Sequence, residues 1–133
     1  MTMDLVRAKD YESASRLPTQ LSLDLAAWRV DFEIQTYRTR FPEADRFLLL
    51  YRLFEGDGVG AAAEVCYTPN QLPWLKREIE NFLKIFASRD SSKPLYVSAQ
   101  EVRPEDVESF LKRLILLIDE AASNNECVFA FAE

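Results

Sequence analysis

The residues from Arg103 to Ala122 carry the clearest helix signal in the chain. Pro104 suits the first helical position, where its missing N–H costs nothing, and the acidic residues after it favour the positive end of the helix dipole. Asn124 and Asn125 tolerate the left-handed conformation that ends many helices. The sequence therefore predicts a helix whose two ends are both marked by residue type.

This helix has a stripe of apolar residues along one face and further apolar residues outside that stripe. The residues with the spacing of a buried stripe are Val107, Phe110, Leu111, Leu114, Ile118 and Ala121. The run from Leu114 to Ile118 is apolar throughout and goes around the whole helix, because each residue turns it by about 100°. We expect the second half of this helix either to lie inside the domain or to place its outer side against a partner.

Composition favours a soluble globular protein with one domain. The chain has 133 residues, 48% of them apolar and 29% charged, which suits a chain with a real core. No apolar run approaches the ~18 residues of a membrane span, and the first residues lack the pattern of a secretory signal. We expect a weakly helical N-terminal segment over residues 1–20, a single α+β domain over residues 21–133, and a cytoplasmic location.

Charge and residue usage restrict the classes of function. The net charge is −6 and basic residues form no stripe, so we expect no nucleic acid and no membrane as partner, and a charged partner should be basic. The chain has no histidine, which removes His-based acid/base catalysis and most transition-metal sites. Cys66 and Cys127 lack metal-ligand spacing and are expected to be buried thiols. The sequence predicts no catalytic residue, no cofactor and no metal, and an enzyme ranks third among the hypotheses.

The stretch from residue 27 to residue 55 fits both a strand and a helix. From Trp28 to Thr36 apolar and polar residues largely alternate, as in a half-buried strand, although the same stretch also contains a helical stripe. We favour the strand because a helix would place Trp28 and Phe32 on its solvent-exposed face. Arg46 to Glu55 is flanked by helix-start and helix-stop residues, but it also fits a central strand that is apolar on both faces.

The glycine-rich segment after residue 55 favours the strand interpretation. All three glycines lie between Gly56 and Gly60, and Gly56-Asp57-Gly58 is typical of a reversal between two strands. The segment lacks the residues of a phosphate-binding loop, so we interpret it as a plain turn. Ala61 to Tyr67 then predicts a return strand. The three strands together predict an antiparallel meander.

Two further regions have clear patterns. Residues 68–73 predict the start of a second amphipathic helix, with Asn70 as its N-cap. Its buried stripe comprises Leu75, Ile79, Phe82, Leu83 and Phe86. Leu95 to Ala99 predicts a short strand. Cys127 to Ala132 predicts a final strand, which must be paired or covered because an exposed strand of this composition would aggregate. The predicted fold class is α+β: an antiparallel β-meander packed against two amphipathic helices, with short additional strands.

Exposed apolar residues are the best candidates for a functional surface. Tyr37, Trp74, Ile115 and Leu116 are predicted to lie off the buried stripes, where they would form a protein-interaction patch. We therefore expect a non-enzymatic protein-binding module, an inhibitor, immunity-type protein or chaperone-like adaptor, that binds another protein and forms a homodimer. The alternative is a small-ligand-binding domain with a pocket between sheet and helices, lined by Gly58, Glu64 and Cys66.

Overall fold

The computed structural model describes residues 3–22, 25–41, 47–55, 64–88, 95–97 and 99–132. Within these ranges the chain is mixed α+β, with five helices and six strands. Their order is β1 (Met3–Ala8), α1 (Tyr11–Arg16), β2 (Leu21–Ser22), α2 (Leu25–Arg40), α3 (Leu48–Glu55), β3 (Glu64–Tyr67), α4 (Leu72–Ser88), β4 (Leu95–Val97), β5 (Gln100–Val102), α5 (Pro104–Ser123) and β6 (Cys127–Ala132).

Four strands form an antiparallel sheet in the order β2-β1-β6-β3. The final strand, β6, lies between β1 and β3, and its Ala130 is opposite both Leu5 and Val65. The prediction that β6 must be paired is therefore confirmed. The other two strands, β4 and β5, form a separate antiparallel ribbon.

The sheet has apolar side chains on both faces, because successive residues of a strand point to opposite sides. One face joins the main core, which the helices α2, α3, α4 and α5 complete. The other face holds a second cluster formed by Val6, Ala8 and Phe129 together with Ala14 of α1. Tyr11, also in α1, packs edge-on against Phe129 at a ring-centroid distance of 6.4 Å.

Both helices that the sequence predicts most clearly are confirmed. Helix α5 begins at Pro104, and the Asp106 carboxylate accepts a hydrogen bond of 3.0 Å from the backbone N–H of Arg103. Beyond its end, Asn125 has a φ of 53°. The buried residues of α5 are Val107, Phe110, Leu111, Leu114, Leu117, Ile118 and Ala121. In α4 the predicted stripe is buried as well, except that Leu83 is only partly covered.

The prediction of a strand from Trp28 to Thr36 is wrong, because these residues belong to helix α2. Of the helical stripe in the rejected alternative, Ala27, Val30 and Ile34 are fully buried, Tyr37 is half-buried, and Phe41, just past the helix, is 52% exposed. The helix also leaves Phe32 53% exposed to solvent, whereas Trp28 packs against the core. Burial of the first three residues of the stripe therefore outweighs the exposure of two aromatic rings.

The prediction of a strand from Arg46 to Glu55 is also wrong, because Leu48–Glu55 is helix α3. A carboxylate of α4 stabilises the start of this helix. Glu78 accepts hydrogen bonds from the backbone N–H groups of Leu49 (3.2 Å) and Leu50 (3.0 Å). With two of its three strands helical, the predicted meander does not exist. Its third strand is confirmed only over β3, and the turn at Gly56–Gly60 lies outside the described residues.

The N-terminal segment, expected to be weakly helical, is helical only over α1. Over residues 3–20 the structure shows strand β1 followed by the short helix α1, and β2 begins at Leu21. Leu5 and Val6 are both buried, on opposite faces of the sheet, so β1 lacks a simple alternating pattern. Helix α1 is capped by Asp10, whose carboxylate accepts a 2.7 Å hydrogen bond from the Ser13 N–H; this bond lowers the pKa of Asp10.

A hydrogen bond between β3 and α3 gives a first testable result. The Tyr67 hydroxyl donates to the backbone carbonyl of Leu49 at 2.6 Å, in partly buried surroundings. We expect Tyr67→Phe to lower the free energy of unfolding by about 1 kcal/mol, because Leu49 loses this donor. Urea unfolding measures the change. Tyr51→Phe is the matched control, since Tyr51 is only half-buried, and an equal loss in both variants would contradict the assignment.

Candidate functional site

The outer face of α5 is the surface that stands out once the helices are packed. We give this name to the exposed side chains opposite the buried stripe: Glu105, Glu108, Ser109, Lys112, Arg113, Leu116, Asp119, Glu120 and Ser123, of which Asp119 is half-buried. Leu116 is 61% exposed and is the large apolar side chain of this face. Every other member is charged or carries a hydroxyl group.

Leu116 is exposed because the residues next to it on α5, and not Leu116 itself, point toward the core. Leu114, Leu117 and Ile118 are buried, and Ile115 packs partly against the core. The interpretation that the whole run from Leu114 to Ile118 lies inside the domain is therefore wrong at Leu116. A single exposed leucine is common on protein surfaces, so this face is distinguished by the charged side chains around Leu116.

Acidic side chains follow Leu116 and are tied to elements on either side of α5. Asp119 forms an ion pair with Lys76 of α4, with 2.9 Å between Oδ1 and Nζ. Glu120 forms an ion pair with Arg7 of β1, with 3.2 Å between Oε2 and Nε. Arg7 also forms an ion pair with Glu126. The hydrogen bond to Asp119 raises the pKa of Lys76, and that to Glu126 raises the pKa of Arg7. The position of this acidic pair is thus fixed from two directions.

Basic side chains precede Leu116 by one turn. Lys112 and Arg113 are exposed, and neither forms an ion pair with any residue in the described part of the chain. The outer face of α5 therefore has a basic pair, then Leu116, then an acidic pair. This order of charges was not predicted, although the spacing of three and four residues on either side of Leu116 is visible in the sequence.

Two shallow depressions lie along the flank of this face, and Arg113 borders both. The first has a volume of about 340 Å³ and is lined by Arg7, Gln20, Leu21, Arg113, Leu116, Leu117 and Glu120. The second has a volume of about 300 Å³ and is lined by Leu25, Ala26, Glu101, Val102, Asp106, Ser109, Phe110 and Arg113. The side of α5 that faces the sheet and α2 thus has open space beside Leu116.

Of the four candidate interaction residues, Trp74 and Leu116 are exposed, and Tyr37 and Ile115 are partly buried. Tyr37 is half-buried and packs against Phe47, at a ring-centroid distance of 5.5 Å. Trp74 is exposed in the first turn of α4, with the Arg77 guanidinium 4.9 Å from its ring centroid. Ile115 is partly buried, so Leu116 is the exposed residue of the pair on α5.

The residues of the alternative ligand pocket are only partly described. Gly58 lies outside the described residues, and Glu64 is described only as a backbone position in β3. Cys66 is half-buried on the sheet face that α1 covers, beside Phe129. Neither Cys66 nor Cys127 forms a disulfide. The structure thus adds no lining residue to that pocket.

In the described ranges, no group of three or more Cys, Asp or Glu side chains is placed to hold a metal ion. None of the described helices has the length and apolar character needed to cross a bilayer. Comparison with protein-family models, with curated proteins and with solved structures finds no match for this chain.

Proposed function

We propose that this protein is a non-enzymatic protein-binding module that contacts its partner through the outer face of α5. The observation that carries the proposal is Leu116, 61% exposed between a basic pair and an acidic pair on a rigid helix. Exposed apolar side chains within a polar rim are typical of protein contact sites. The chain would act in the cytoplasm as an inhibitor, an immunity-type protein or a chaperone-like adaptor.

The chemistry of this face supports binding rather than catalysis. Its ionisable groups are spread over several turns, and the acidic pair is already engaged by Lys76 and Arg7. Such groups lack the confined, desolvated surroundings that shift carboxylates toward acid/base roles. Depressions as open as the two beside α5 also suit a protein surface better than a small ligand, which binds in deeper pockets.

The proposal predicts that Leu116→Asp abolishes partner binding and leaves the fold intact. The carboxylate would have to be desolvated in the interface, so we expect affinity to fall about 10-fold or more. A photo-activated cross-linker placed at Ser109 on the same face would detect the partner in cells that produce the protein. Cross-linked protein adducts should appear with the wild-type chain and disappear with Leu116→Asp.

Phe32→Asp is the matched control for this experiment. Phe32 is 53% exposed on α2, so a carboxylate at this position stays in contact with solvent. This variant should keep every adduct, and both variants should melt within a few degrees of wild type. Adducts that are identical in all three proteins would overturn the proposal.

A further inference from the structure

The order of charges along the outer face of α5 is complementary to itself when one copy is reversed. Lys112 and Glu120 lie at equal distances before and after Leu116, and Arg113 and Asp119 do so as well. In an antiparallel pair of helices related by a twofold axis, positions at equal distances from the axis face each other. A twofold axis at Leu116 would therefore place each basic residue opposite an acidic residue of the second copy.

We infer that the partner on the outer face of α5 is a second copy of this chain, with the two α5 helices antiparallel and their twofold axis at Leu116. This inference rests on the proposed function and names its occupant. The two Leu116 side chains contact each other at the axis. Lys112 faces Glu120 and Arg113 faces Asp119 on both sides of it, which gives four oppositely charged pairs.

Other features of the surface fit the same arrangement. Ser109 and Ser123, one turn further out on each side, face each other and introduce no like-charged contact. The depression of about 340 Å³ next to Leu116 has room for the same side chain of the second copy. Lys112 and Arg113 gain ion-pair partners that they lack among the described residues of their own chain.

A parallel arrangement of the two helices is disfavoured by the same charges. It would place Lys112 and Arg113 against their own copies and Asp119 and Glu120 against theirs. Like charges that face each other across an interface cost several kcal/mol in total. The charge order thus selects the antiparallel pair, and because its contacts are largely ionic, dimerisation should weaken as the salt concentration rises.

Charge reversal in two variants tests this geometry. One variant carries Lys112→Glu with Arg113→Glu, and the other carries Asp119→Lys with Glu120→Lys. Each alone would place like charges opposite each other, so we expect its dimerisation to be at least about 10-fold weaker than that of wild type. An equal mixture should form a heterodimer, because its charges are again complementary. Size exclusion with light scattering gives the masses, and native mass spectrometry identifies the heterodimer.

Two controls separate the geometry from general effects. Arg40→Glu with Lys84→Glu reverses two exposed basic residues of α2 and α4, so it changes the net charge by the same amount as Lys112→Glu with Arg113→Glu, and it should keep the wild-type dimer. Circular dichroism melting should show that every variant is folded, although the acidic-to-basic variant loses its ion pairs with Lys76 and Arg7. Leu116→Asp, which places two carboxylates at the axis, should be monomeric.

Three results would overturn the inference. Wild-type protein could be a monomer up to near-millimolar concentration, the two reversal variants could dimerise as well as wild type, or their mixture could show no heterodimer. Failure of the inference is distinct from failure of the proposed function. A monomeric protein whose cross-linked adducts still depend on Leu116 would bind a different protein through the same face.

Discussion

Replacing Phe47 with alanine is expected to lower the free energy of unfolding by about 3–5 kcal/mol, the usual cost of deleting a buried phenylalanine ring. Phe47 is only 2% exposed and precedes helix α3. Its ring packs edge-on against Tyr37 of α2 and Phe82 of α4, at centroid distances of 5.5 and 5.8 Å. Removal of this ring therefore leaves a cavity where three helices meet. Chemical denaturation measures the loss.

A glycine at the same position should be less harmful than alanine. Phe47 has a φ of 66°, in the left-handed region that costs a residue with a Cβ about 1–2 kcal/mol. Both substitutions remove the ring, but Phe47→Gly also relieves that backbone cost, so we expect it to be more stable than Phe47→Ala by about 1 kcal/mol.

Phe82 provides the matched control for this pair. It is buried in the interior of α4, where glycine should be less stable than alanine by about 1 kcal/mol. The order of the two variants should therefore be opposite at positions 47 and 82. The same order at both positions would contradict the backbone conformation described for Phe47.

Glu78 is the second position where we expect a large effect. Its carboxylate accepts hydrogen bonds from the N–H groups of Leu49 and Leu50, which have no carbonyl partner within α3 because they lie in its first turn. Glu78→Ala removes both acceptors in partly buried surroundings. We expect unfolding free energy to fall by about 1–3 kcal/mol, measured by urea denaturation. Glu78→Gln keeps one oxygen acceptor and should lose less.

Stability should also depend on pH through Glu78. Burial of the carboxylate raises its pKa above its ordinary value of 4.5, and this effect outweighs the two hydrogen bonds that lower it. Between the unfolded and the folded pKa the native state therefore binds more protons than the unfolded state. The contribution of Glu78 is complete below about pH 4.5 and is lost as pH rises through the folded pKa.

Comparison with Glu78→Gln isolates this contribution, because the amide does not titrate and all other groups cancel. The stability of wild type relative to Glu78→Gln should be greatest at acidic pH and should decline as pH rises, before levelling off above the folded pKa of Glu78. A difference that increases with pH would mean that the hydrogen bonds, rather than burial, dominate the pKa of Glu78.

Helices α4 and α5 could be predicted because their signals are local. Each has a continuous buried stripe, and the start of α5 is marked by Pro104 and its acidic residues. Helix α2 could not be predicted, because at two positions a charged residue is buried and an aromatic residue is exposed. Arg29 is buried, where it donates a 2.8 Å hydrogen bond to the Val102 carbonyl and lies 5.3 Å from the Phe86 ring centroid, whereas Phe32 is exposed. These distant partners leave no trace in the local sequence.

The incorrect predictions for α3 and β1 also arise from contacts with residues that are distant in sequence. Helix α3 is short, and its first turn depends on Glu78, which is far away in sequence. Strand β1 is buried on both faces, so Leu5 and Val6 gave no alternation to recognise. At the candidate site, the surplus of apolar residues after Leu114 correctly drew attention to α5. The exposure of Leu116 was predicted from its position off the buried stripe. The partial burial of Ile115 could not be predicted, because the core residues that it packs against come from other elements as well.

The central position of β6 has a consequence for synthesis of the chain. Strand β6 leaves the ribosome after all the other described elements, yet it is the strand that joins β1 to β3. Contacts between such distant segments form slowly, since a long loop must close first. We expect the nascent chain to carry an open sheet edge and uncovered apolar side chains through most of translation. Growing chains should therefore depend on holding chaperones until the last strand emerges.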